Sequence, residues 1–170
     1  MNDTQKLIVE NIPNLRRYAK ALIRDNEKAD DLVQDCLVRA IGRLHLWEPG
    51  SNMRTWLFSI LHNLHVNAAR RQNSQPDNTA LEAVHETVNV MQPDQDKGLM
   101  IRDVDRALNH LPDEHREVLL LVGLEQLSYA ETAEVLDIPI GTVMSRLNRG
   151  RIRLREILDT TGTSHLRRVK

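Results

Sequence analysis

The sequence predicts an all-α fold: two small helical domains joined by a flexible linker. Three observations carry this expectation. Apolar residues recur at three- and four-residue spacing in both halves of the chain, as on one face of a helix. Aromatics make up only 3% of the 170 residues and glycines number 7, a composition that suits amphipathic helices better than sheets. Between the periodic halves, QNSQPDN at 72–78 collects the polar and helix-breaking residues of a linker. The expected boundaries are a first domain at 1–73, an acidic flexible linker at 74–97, and a second domain at 98–170 that ends in a short tail.

In the first domain Ile8, Ile12, Leu15, Ala19 and Leu22 mark one helix face, and Val33, Cys36, Leu37, Ala40, Ile41 and Leu44 a second. EPGSN, between Trp47 and Met53, breaks the pattern. A third helix reads TWLFSILHNLHVNAARR, apolar at Trp56, Leu57, Ile60, Leu61 and Leu64. Three such helices with short joins can close a small core. The linker that follows has no sustained apolar period and room for one short helix near Thr79 to Val88.

The second domain opens on Ile101, Val104, Leu108 and Leu111. Pro112 then starts a helix with Asp113 and Glu114 in its first turn, where acids complement the helix dipole, and Val118, Leu119 and Val122 supply its buried face. Ser128-Tyr129-Ala130-Glu131 fits the capping box S-x-x-E. That helix stops near Asp137-Ile138-Pro139, because a proline disfavours helical geometry in the residue before it yet suits the first turn of the next helix. Two helices with so short a join, and small Ala133 where they cross, make a helix-turn-helix.

The last helix lies in IPIGTVMSRLNRGRIRLRE. Ile140, Val143, Leu147, Leu154 and Leu158 form its inward stripe, leaving Arg146, Arg149 and Arg153 outward, with Thr142, Ser145 and Asn148 near its start. Guanidinium forks can pair with phosphates or guanine edges, and the short polar side chains can reach base edges in a major groove. Charge elsewhere is just as uneven. The net charge is −1, yet 25–35 holds five acids and one Lys, 51–71 three Arg and no acid, 74–98 five acids and one Lys, and 142–156 five Arg and one acid. Such alternation suits a protein that touches partners of both signs, although charge runs are also ordinary solvated faces.

One cysteine excludes an intramolecular disulfide and points to a reducing compartment. The N-terminus lacks the charged and apolar regions of a signal peptide, and no stretch is long enough to span a bilayer. The expectation is a soluble cytoplasmic protein with no membrane insertion, no metal and no cofactor.

These residues resemble a known family. LPDEHREVLLLVGLEQLSYAETAEVLDIPIGTVMSRLNRGRIRLRE is similar to region four of bacterial sigma factors of the extracytoplasmic-function (ECF) class. ADDLVQDCLVRAIGRL resembles the core-binding helix of region two in such factors, and TWLFSILHNLHVNAARR its promoter-melting and recognition segment. The likeness runs from about Leu7 to Leu158 and holds two motif sets in the right order.

The resemblance implies a promoter-specificity subunit of RNA polymerase. Region two would dock on the coiled-coil of the largest polymerase subunit through Asp31, Gln34, Asp35 and Val38, whose outward acids complement a basic partner. A solvated face accounts for Asp31 and Asp35 almost as well, and the resemblance tips the balance toward a polymerase contact. Asn63, Asn67, Arg70 and Arg71 would open the minus-ten element, Asn63 matching a position used around a flipped base, an extrusion that costs a few kcal/mol without a pocket to receive it. Trp56 reads as core rather than as a wedge. Region four would sit on the flap of the second subunit and read the minus-thirty-five element through Thr142, Met144, Ser145, Arg146, Asn148, Arg149 and Arg153. Met144 and Asn148 depart from residues common in the family, so the promoter sequence does not transfer. Asp137 stands where a glycine is common, a mild departure because Asp tolerates left-handed geometry. The acids Glu82, Glu86, Asp94 and Asp96 would let the linker run through the polymerase's basic RNA path. An anti-sigma factor would hold the protein inactive until stress releases it.

Three other readings fit parts of the sequence. His62-x-x-His65 offers two metal ligands for an enzyme, but no third lies near in sequence, and no glycine loop cradles phosphate. A two-domain regulator would sense a ligand with its first domain and bind operators as a dimer. An inhibitor-like protein would keep the fold without promoter activity.

Overall fold

The computed structural model describes residues 2–74 and 95–161, and for 95–97 the backbone alone. The expected linker helix near Thr79 to Val88 and the acids Glu82, Glu86 and Asp94 lie outside what is described, and of Asp96 only the backbone is described. Among the described residues every regular element is helical.

Three helices build the first module. In α1 (Asp3–Leu22) Asn2 and Gln5 form a reciprocal capping box. Pro13 sits inside this helix and removes one internal backbone bond. Asp25 caps α2 (Asn26–Gly42), accepting from the Glu27 and Lys28 N–H groups. A 3-10 turn (Leu44–Leu46) follows, and Asn52 caps α3 (Met53–Asn73) by accepting from Arg54 and Thr55. The core closes on Leu15, Ala19, Cys36, Leu57 and Leu61, with Tyr18 and Phe58 edge-to-face at a centroid distance of 5.3 Å. Trp56 packs against this core while partly exposed. Ile41, expected inside, is 62% exposed. Val33, Cys36 and Ala40 already fill the contact face of α2, and Ile41 falls one residue, or about 100°, beyond it.

The second module comprises α4 (Gln95–Asn109), α5 (Asp113–Leu119), α6 (Tyr129–Leu136) and α7 (Ile140–Thr160). α4 therefore begins inside the stretch read as linker. Its Ile101, expected in the apolar stripe, is 57% exposed, whereas Ala107 and Leu111 are buried. α5 does not end at Gly123 as a plain helix. Residues Leu120–Leu124 form a wider π turn in which the Glu125 N–H donates to the Leu120 carbonyl at 3.0 Å. Gln126, at φ 56°, then reverses the chain into α6. α7 crosses α5 closely: a β-carbon at Gly150 would stand 3.1 Å from a Leu119 methyl and 3.3 Å from His115 Cβ.

The modules do not stand apart. Buried apolar residues from Leu15 and Phe58 to Leu121, Val135 and Leu147 belong to one cluster, and α3 packs on α6 while α1 packs on the π turn. The sequence expectation of two joined bundles said nothing of this face-to-face packing.

Candidate nucleic-acid interface

The presentation of α7 begins at Ser128. Its Oγ accepts from the Glu131 N–H at 3.1 Å, and the Ser128 N–H donates to the Glu131 carboxylate at 2.8 Å, closing the expected capping box. α6 stops at Asp137 in the left-handed region, φ 53°, the residue type best suited after glycine and asparagine. Pro139 then supplies the cap from which α7 runs, and its carbonyl accepts from Thr142 and Val143. Val143, Leu147 and Gly150 face inward. Ile140, expected to join them, is 49% exposed, since it precedes the turn that first meets α6. Leu154 is only half-buried.

The outward side carries Met144, Ser145, Asn148, Arg149 and Arg153, all exposed, with Thr142 half-buried at its edge. Arg146 departs from the expected unopposed face: it is partly buried and pairs with Glu114 of α5 at 3.4 Å. Arg153 pairs with Glu156 at 3.1 Å on its own helix. Arg149, Arg151 and Arg155 have no ionic partner among the described residues.

On α3, Asn63, Asn67, Arg70 and Arg71 are exposed along one side. His62 and His65 turn the other way, to Glu117 of α5, with His62 Nδ1 and His65 Nε2 at 3.6 and 3.8 Å from one carboxylate oxygen. Burial pushes the His65 imidazole below its ordinary value, outweighing the attraction of Glu117 and Asp113. Thus the pair weighed as metal ligands meets a carboxylate distant in sequence, as part of the packing between modules. Among the described residues no group of three or more His, Cys, Asp or Glu is arranged to hold a metal ion.

On α2, Asp31, Gln34, Asp35 and Val38 are exposed, and Val38 is 71% accessible. Ile41, one turn further along α2, is likewise exposed, so apolar surface stands beside these acids.

Sequence reading missed Glu125. Its carboxylate is fully buried and receives two bonds from Arg17, both 2.9 Å, and one from Arg54 at 2.7 Å. A single acid within LLLVGLEQL was the available signal, since a charge in an apolar run needs a partner. The bidentate bond to Glu125 raises the Arg17 guanidinium above its ordinary value. Tyr18, beneath both acids, has its hydroxyl raised well above the usual range by burial and by the charges of Glu117 and Glu125.

An all-helical pair of modules, the second ending in an arginine-rich helix-turn-helix, has the build of a DNA-binding protein. Comparison with known proteins agrees. The family model described as the Sigma2 domain of PhyR matches residues 8–62, and that of Sigma-70, region 4 matches residues 101–154. The ECF RNA polymerase sigma factor EcfG of Rhodopseudomonas palustris is 35% identical over 91% of this chain and 84% of its own length. Among solved structures, the sigma factor RpoE of Bartonella quintana, in complex with the anti-sigma factor NepR, has a TM-score of 0.77 at 33% identity, covering 94% of this chain and 98% of that one. CnrH, in complex with the cytosolic domain of CnrY, has a TM-score of 0.68 at 25% identity, covering 92% and 88%. The chain belongs to the ECF class of RNA polymerase sigma factors, DNA-binding subunits that direct core polymerase to promoters.

Proposed function

We propose that this sigma factor engages core polymerase through Asp31, Gln34, Asp35 and Val38 of α2, opens the minus-ten element through Asn63, Asn67, Arg70 and Arg71 of α3, and reads the minus-thirty-five element through α7. The observation that carries this reading is the exposure of the named side chains on α2, α3 and α7, with only Thr142 and Arg146 partly buried. Acids beside an apolar Val38 suit a basic helix of the largest subunit, the coiled-coil, while region four sits on the flap of the second. On α7, exposed Arg149 and Arg153 are placed for phosphate or guanine, and Met144, Ser145 and Asn148 for base edges, with Thr142 and Arg146 at the margin.

An anti-sigma factor is the proposed regulator, released on stress; the similar RpoE binds one, NepR, and CnrH binds the cytosolic domain of CnrY. No described helix is long and apolar enough to cross a membrane, and the proposed workplace is the cytoplasm, with the polymerase. The proposed domain division is 1–73, 74–97 and 98–170.

Transcription from a promoter library by core polymerase, with and without this protein, tests the reading. The expected result is a defined set of starts that appears only with the protein. Tight binding to duplex DNA without polymerase, and no new starts, would instead favour the two-domain regulator.

A further inference from the structure

The two flanks of α7 differ in how much of their positive charge is free. Met144, Asn148, Arg151 and Arg155 follow at i, i+4, i+7 and i+11, which sets them along one side of the helix, and all four are exposed. Arg146 and Arg153 share the opposite flank, and a carboxylate meets each: Glu114 at 3.4 Å and Glu156 at 3.1 Å. Arg149, exposed between the flanks, and Arg151 and Arg155 have no ionic partner among the described residues. A polyanion is therefore drawn toward the Met144 side, where its phosphates need displace no acid.

What α7 offers a groove at its leading end is apolar. The N-terminal residues of such a helix are the ones that meet base edges. From 140 to 145 the exposed positions are Ile140, Gly141, Met144 and Ser145, with no cation, carboxylate or amide among them. Ser145 Oγ donates to the Thr142 carbonyl at 3.1 Å, so its proton is already used within the helix. Met144 is 53% accessible. Guanine is read by a donor such as a guanidinium and cytosine by a carboxylate, whereas the apolar feature of the major groove is the C5-methyl group of thymine. An unbranched thioether chain adapts its shape to such a contact. Asn148, next along the same side, carries the amide that fits N6 and N7 of adenine. Arg151 and Arg155 lie about 10 and about 16 Å beyond Met144 along the axis, where the phosphate ridge of a groove about 12 Å wide comes within reach.

We propose that Met144 is a specificity-determining residue that recognises the C5-methyl group of a thymine in the minus-thirty-five element, so that one A·T pair there is selected by packing rather than by a hydrogen bond. This role of Met144 rests on the proposed reading of that element by α7. Covering the thioether chain with the methyl group removes apolar surface of both partners from water, and the free arginines of the same flank hold the backbone that brings them together.

The test uses limiting holoenzyme, core polymerase with the full chain. A promoter library first fixes the preferred minus-thirty-five sequence. Each of its thymines, on either strand, is then replaced by deoxyuridine, which lacks only the methyl group. At one position the replacement should lower promoter-specific transcription about fourfold, the worth of one buried methyl group. Met144→Ala should lower transcription from the thymine template by a similar factor and erase the difference between thymine and deoxyuridine, while Met144→Leu, still apolar, should keep that difference. Because Met144 is exposed, neither substitution disturbs the core. A methyl effect that persists undiminished in Met144→Ala overturns the proposal. Transcription that depends on the minus-thirty-five sequence but on none of its methyl groups overturns this proposal alone; transcription indifferent to the whole sequence overturns the reading by α7 as well.

Discussion

His65 illustrates how packing sets the charge of a residue. Its ring is close enough to Glu117 for attraction, 3.8 Å, yet enclosure between α3 and α5 wins and favours the neutral form. The folded state therefore binds a proton less readily than the unfolded state, whose histidine titrates near about 6.5. Stability from this residue is present above about pH 6.5 and is lost as the pH falls through that value toward the lowered one. Thermal unfolding of His65→Gln between pH 7 and pH 5 should show a shallower decline than the unaltered chain; parallel curves would count against the assignment. Thr132 offers the opposite kind of test. Its hydroxyl is fully buried with no hydrogen-bond partner among the described residues. Thr132→Val keeps the shape and removes an unsatisfied polar group, so it should raise stability by about 1 kcal/mol in denaturant titration.

At the level of elements, the join between α6 and α7 depends on one backbone conformation. Asp137 holds φ 53°, and its N–H closes the end of α6 onto the Ala133 and Glu134 carbonyls. A β-branched side chain is disfavoured there, so Asp137→Val should cost about 1–2 kcal/mol and weaken binding to minus-thirty-five duplex by misaiming α7. A variant as stable and as tight as the unaltered chain would show that the turn tolerates other geometries. This join was legible in the sequence because Ser128, Glu131, Asp137 and Pro139 act within a few residues of each other, and local chemistry decides caps and turns. The same locality explains what went unread. Ile41, Ile101 and Ile140 share the period of their buried neighbours, and only the partner helix decides where an apolar stripe stops. Glu117 and Glu125 depend on cations or imidazoles from the other module, a relation that no spacing rule reaches. Arg146 was read as outward from its place on the helix, while Glu114, on a different helix, draws it partly inward.

For the whole molecule, charge distribution rather than net charge governs encounter with DNA. Each phosphate neutralised releases counterions, so the logarithm of affinity falls with the logarithm of salt in proportion to the number of contacts. Arg149→Ala and Arg153→Ala should each reduce that slope by about 1 in a minus-thirty-five duplex titration, across sequences alike if the contact is to phosphate. An unchanged slope would remove that arginine from the phosphate-facing set. Arg153 must leave Glu156 to make such a contact, so its effect should be the smaller of the two in affinity.

The π turn at Leu120–Leu124 also has a bearing on how this factor could be altered. Because a π turn uses about one more residue per revolution, it sets the following chain back by about 100° around the helix axis relative to the same residues wound as an α-helix. Were the same residues wound as an ordinary α-helix, the Glu125 carboxylate would swing out of phase with its two arginines. The width of a single turn, rather than any charge, thus decides whether this buried acid and its arginines can meet.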